Sequence, residues 1–140
     1  MEELFLGKIF LKIDIVGDSI RFVRNDGYIF IMKHEQDCCE SVYIEDINGD
    51  LNDLIGSPML IADESFGSND DKEEGVVDEA EEEYSDESFT WTFYRFATIK
   101  GYVDIRWYGS SNGYYSESVD VYIDGIDISL ARDIKIDNIL

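Results

Sequence analysis

The chain has one histidine, one proline and two cysteines, and it is short of positive charge. A site that needs two or more histidines is excluded by count alone. No run of about 18 apolar residues occurs, so no transmembrane helix is expected. The first six residues carry Glu2 and Glu3, where a secretory leader would have a basic start and a long apolar stretch, so no signal peptide is expected. Acids outnumber bases by 32 to 11, giving a net charge of −21. A soluble design would aim at a magnitude of roughly 2 to 8. That deficit argues against direct contact with DNA, RNA or an anionic membrane, because each rewards a basic patch. The two cysteines, Cys38 and Cys39, are adjacent. A disulfide between neighbours is strained and closes almost no loop. The expectation is therefore two reduced thiols in a cytoplasmic protein, one pointing in and one out.

What is present suits one domain spanning 1–140. The 140 residues are 44% apolar and 14% aromatic, enough for a single packed core. Residues 8–16 alternate, with Ile9, Leu11, Ile13 and Ile15 on one face and Lys12 and Asp14 on the other, which predicts a half-buried strand. Strands over 19–24 and 28–33 follow, joined by Asn25, Asp26 and Gly27, residues that tolerate positive φ. A polar loop at 34–40 leads to a short alternating piece at 41–46. Asp50 is placed to cap a short helix that Gly56 ends, with Pro58 just beyond. A brief strand is expected at 59–62. The C-terminal half predicts a second three-strand meander over 89–98, 102–108 and 114–123. Phe89, Trp91, Phe93 and Ala97 share a face, and Val103, Ile105, Trp107, Tyr115, Val119, Val121 and Ile123 point inward. The fold expected is mainly β: two antiparallel meanders forming a small sandwich or partly open barrel, with one short helix between them. Residues 126–140 form a C-terminal extension.

Residues 63–87 differ in kind. They hold 13 acids and one base, Lys72, for a local charge of −12. A block of this kind is a solvated loop or an interaction segment; its second half, 76–84, has the composition of one acidic helix. Rows of carboxylates imitate the charge density of a nucleic-acid backbone, so such a segment can occupy a basic cleft and exclude the real ligand. Steering would make that association fast and salt-sensitive. The candidate partner-binding acids are Asp70, Asp71, Glu73, Glu74, Asp78, Glu79, Glu81, Glu82, Glu83, Asp86 and Glu87. Tyr108, Tyr114 and Tyr115 join them, because tyrosine is favoured at protein interfaces.

Catalytic and metal chemistry find less support. His34, Cys38 and Cys39 are weak metal candidates: imidazole and thiolates suit zinc, with Asp37 or Glu40 as a fourth ligand, but adjacent cysteines diverge. A Cys–His nucleophile pair is weighed on the same loop and has no assembled surroundings. Asp46, Asp50 and Asp53 suggest a calcium loop, yet the closing glutamate is missing and the glycine is displaced. No cofactor, no resident metal and no enzymatic activity are expected.

Several stretches together carry a resemblance: HEQDCCE at 34–40 with VYIEDI at 42–47, GDLNDLIG at 49–56, WTFYRFATIKG at 91–101, RWYG at 106–109 and NGYYSESV at 112–119. From about residue 8 to 121 the chain resembles a family of small uncharacterised proteins of bacteria and their phages, classed as a domain of unknown function. The acidic insert and the tail from about 126 fall outside that pattern. The family carries no catalytic residues to transfer. The resemblance implies a class of small phage proteins that inhibit bacterial defence. The functional expectation is therefore a non-enzymatic, DNA-mimicking inhibitor. It acts in the cytoplasm of a bacterial host cell and binds a host nucleic-acid-handling or defence protein with a basic cleft. The alternative is a small-ligand binder, for a nucleotide signal, with its pocket near 34–40.

Overall fold

A computed structural model of the chain describes residues 1–68 and 88–130. The fold is mainly β, a small sandwich of two antiparallel four-stranded sheets that do not close into a barrel. The first sheet contains β1 (Phe10–Val16), β2 (Ser19–Arg24), β3 (Tyr28–Lys33) and β8 (Asp120–Ile126), in the order β1-β2-β3-β8. The second contains β4 (Ser41–Asn48), β5 (Ile61–Ser68), β6 (Ser88–Thr98) and β7 (Gly101–Ser111), in the order β4-β7-β6-β5. One helical turn, α1 (Glu2–Phe5), precedes them, and a 3-10 turn at Leu51–Leu54 follows β4.

The first three strands form the expected meander. The last strand does not complete a second one. It pairs with β3 instead, placing Met32 opposite Val121 and Lys33 opposite Asp120. Residues 112–119 thus cross from one sheet to the other. The fourth place in the second sheet is taken by β5, which extends the short expected strand into the acidic block and carries Asp63 and Glu64. In β1 a bulge between Phe10 and Lys12 resets the alternation. Phe10 and Ile13 are buried while Leu11 and Ile15 are exposed, where unbroken period two would bury Ile9, Leu11, Ile13 and Ile15. Ile123, expected inside, is also exposed.

The expected capped turn is present, tightened to 3-10 geometry: Asp50 accepts the backbone N–H of Asn52 at 2.9 Å. Gly49, at φ +118°, lies where an added Cβ would come within 2.6 Å of the Tyr102 carbonyl oxygen, so only glycine fits between β4 and the start of β7. Thr98 donates to the Asp53 carbonyl and Lys100 Nζ to that of Ile55, fastening the turn to the β6–β7 hairpin.

Phenylalanine dominates one end of the core. The Phe5 ring lies 5.0 Å from those of Phe10, Phe22 and Phe96 and 6.1 Å from Phe30. All five are essentially inaccessible to water, and burial on this scale is the main favourable contribution to folding.

Candidate functional site

At the other end of the sandwich the inward-facing registers run out of apolar residues. In β3 the buried series Phe30, Met32 continues into His34. In β4 it runs backward from Val42 to Glu40, in β7 from Trp107 through Gly109 to Ser111, and before β8 from Val119 back to Glu117. Polar groups therefore enter the interior because strand periodicity places them there.

The loop at 34–40 is held by its own buried acid. Glu40 accepts the backbone N–H groups of Asp37 at 2.8 Å and Cys38 at 3.0 Å. Gln36 donates to the carbonyls of Cys38 and Glu40. Burial by itself would raise the Glu40 carboxyl; the two backbone donors and nearby His34 outweigh it and hold it below its ordinary range. His34 Nδ1 lies 2.6 Å from the Ser118 carbonyl oxygen, and its Nε2 lies 3.7 Å from Glu40 Oε1. Both side chains face inward, at 4% and 0% exposure. His34 Nε2, Glu40 Oε2 and Trp107 Nε1 are buried without a hydrogen-bond partner.

The cysteines depart from expectation. Cys38 and Cys39 form a disulfide, and both residues are exposed. The turn wrapped around Glu40 and Gln36 leaves both cysteines on the outside, rather than one on each side. His34 points inward, so the three weak metal candidates do not converge. Among the described residues, no three His, Cys, Asp or Glu side chains are grouped to hold a metal ion. Asp50 is occupied by its cap, and Asp53 packs on Gly101.

The outer face of the second sheet forms a different surface. Tyr108 lies 5.8 Å from Tyr43, 4.6 Å from Trp91 and 6.3 Å from Phe89, ring centre to ring centre. The Arg106 guanidinium sits 5.4 Å from the Trp91 ring centre, a cation–π distance. The face shared by Phe89, Trp91 and Phe93 is therefore the outer one, while Thr92, Tyr94 and Phe96 fill the core. Beside this aromatic strip is a groove of about 570 Å³ lined by Asp46, Asp63, Phe93, Arg95, Asp104 and Arg106. Arg95 pairs with Asp104 at 2.8 Å and Arg106 pairs with Glu45, so the groove retains Asp46 and Asp63 in excess.

The same pattern holds more widely. Of the eight basic side chains in residues 1–68 and 88–130, five are in ion pairs: Lys12, Arg24, Lys33, Arg95 and Arg106. Tyr114 and Tyr115 form a separate edge-to-face pair at 5.1 Å in the crossing segment, away from the Tyr108 ring cluster. The eleven candidate acids between 70 and 87, and the acidic helix expected over 76–84, lie outside the described residues.

The crossing segment holds a residue that the sequence reading did not single out. Glu117 is 8% exposed; it accepts the Thr90 hydroxyl at 2.9 Å and the Ser111 hydroxyl. Gly109 makes room for it: an added Cβ would lie 3.0 Å from both the Glu117 Cβ and its carbonyl oxygen. Tyr94 reaches the same segment, donating to the Val119 carbonyl at 3.2 Å. Burial, followed by the neighbouring Glu64 carboxylate, pushes that phenol far above its ordinary range, so it remains a donor. The available signal was period two: an acid placed between Tyr115 and Val119 belongs to their inward-facing set.

Residues 3–121 match the family described as Domain of unknown function (DUF7448), and the chain belongs to that family. No curated protein and no solved structure matches the chain. No helix among the described residues is long and apolar enough to cross a membrane.

Proposed function

We propose that this member of the family is a non-enzymatic binding protein that blocks a host nucleic-acid-handling protein, with bacterial defence factors first among the candidates, by placing acidic residues in its basic cleft. The observation that carries the reading is charge that is not compensated internally. The net charge is −21, and most described bases are already taken up by ion pairs. In sequence, residues 69–87 join the end of β5 to the start of β6, two of the four strands that line the acidic groove. The aromatic strip of Tyr43, Tyr108 and Trp91 supplies the kind of rigid, half-apolar contact that interfaces favour. Carboxylates facing lysines and arginines would then set the approach rate and salt dependence of binding. The phage origin suggested by the motif pattern fits an inhibitor of this kind.

The test is capture followed by competition. The purified chain is immobilised, a bacterial lysate is passed over it at low salt, and bound protein is eluted with a salt gradient. The eluted protein is then assayed for nucleic-acid binding with and without the chain. The expected result is a basic protein whose nucleic-acid complex the chain displaces. Capture that survives high salt, or a captured protein that still binds nucleic acid beside the chain, would contradict the proposal.

A further inference from the structure

We infer that the cavity beside Glu117 is an anchor pocket for one arginine side chain of the partner, an inference that rests on the proposed binding to a basic protein. The cavity measures about 320 Å³, and its lining includes Phe66, Thr90, Thr92, Tyr115, Glu117 and Ser118. The hydrogen bonds around the carboxylate have a fixed sense. The Ser111 hydroxyl oxygen accepts the Gly113 N–H at 3.0 Å, so its own hydrogen goes to Glu117; the Thr90 hydroxyl donates as well. Two neutral donors occupy part of an acceptor set with about four lone-pair positions. No lysine, arginine or histidine of the described residues forms an ion pair with Glu117.

A buried carboxylate is costly without a positive partner, and here one side of it borders open volume. An incoming cation would supply the missing charge. Arginine fits better than lysine because Phe66, 61% exposed, and half-buried Tyr115 both border the cavity. A planar guanidinium can stack on such rings while pairing with a carboxylate in fork geometry. The hydroxyls around the rim accept its remaining N–H groups. Ser88, the first residue of β6, also borders the cavity.

The test uses the full chain, isotope-labelled for amide NMR, and two probes: acetyl-arginine-amide and its neutral isostere acetyl-citrulline-amide. Saturable shifts at Phe66, Thr90, Ser116 and Glu117 are expected for the arginine probe and none for the citrulline probe. Glu117→Gln should weaken the arginine probe about tenfold or more, since hydrogen bonds to charged groups are worth that much. Phe66→Ala, at an exposed position that leaves the fold intact, should weaken it several-fold, which keeps the test decisive if the glutamine variant does not fold. Equal responses to the two probes, shifts spread over the whole acidic surface, or unchanged affinity in Phe66→Ala would overturn the pocket. Loss of partner binding in variants of 79–83 with the arginine response intact leaves the pocket standing. Retained partner binding with no arginine response removes the pocket and leaves the proposed function.

Discussion

At one end of the sandwich, five phenylalanine rings contact one another in a dry interior. At the other end, the same strands deliver His34, Glu40, Ser111 and Glu117 to an interior where a tryptophan N–H lacks a partner. The first arrangement needs little but volume and rotamers to be right. The second needs each hydrogen bond to be made, because an unmet buried polar group costs about 1–3 kcal/mol. Core polarity of this kind weakens a fold, and the open cavity beside Glu117 lies at that end. The comparison assigns stability to the phenylalanine end and places the proposed arginine pocket at the polar end.

The largest effect should come from the dry end. Phe22→Ala removes a fully buried ring that meets Phe5, Phe10 and Phe96, and denaturant unfolding should show a loss of about 3–5 kcal/mol. A loss below about 1 kcal/mol would break the assignment. Gly109→Ala is the counterpart at the polar end. Its methyl group would press on Glu117 and on Val42, 3.2 Å from the valine methyl, and overpacking of this kind costs about 1–3 kcal/mol. The same variant should also shift the amide signals of residues 116–118, which Phe22→Ala should leave closer to their places. Trp91→Ala should cost less than Phe22→Ala, because the Trp91 ring is only half-buried on the outer face. If Trp91→Ala unfolds the chain, its outer-face position is wrong.

A pH series sharpens the contrast further. Glu40 has a folded-state pKa below its unfolded value. Its contribution is therefore fully present above the ordinary carboxylate range, near 4.5, and is lost as pH falls through the lower folded-state value. The parent should lose thermal stability on acidification below that range more steeply than Glu40→Gln does. Parallel curves would show that Glu40 does not carry the linkage.

Much of the architecture was legible in the sequence because strand periodicity is local. The hairpin at 25–27, the cap at Asp50 and the inward set of Val103, Ile105 and Trp107 all follow from nearest-neighbour chemistry. The bulge in β1 and the partner of β8 do not, because both involve contacts beyond nearest neighbours: Phe10 against Phe22, and Met32 against Val121. The site was partly legible. Tyr108 lies in an aromatic cluster on the outer face, and Trp91 and Phe93 belong to that face and not to the core, since Thr92 and Tyr94 fill the inner positions. Glu117 was missed because an acid breaks an apolar series to the eye, although its parity is that of Val119. Adjacency argues against a bridge between Cys38 and Cys39 on geometric grounds, yet the two are joined.

The central claim is that acidic charge directs this chain to a basic partner, and one measurement tests it most directly. Glu79, Glu81, Glu82 and Glu83 are replaced together by glutamine, and binding to the captured partner is followed by kinetics from about 0.1 M to 1 M salt, over which the screening length falls from about 10 Å to about 3 Å. The account predicts that the parent's association slows steeply with salt. It also predicts that the variant associates more slowly at low salt and depends on salt less, with its dissociation rate nearly unchanged, as rim charges act chiefly on approach. Identical association rates and identical salt slopes for parent and variant would contradict it.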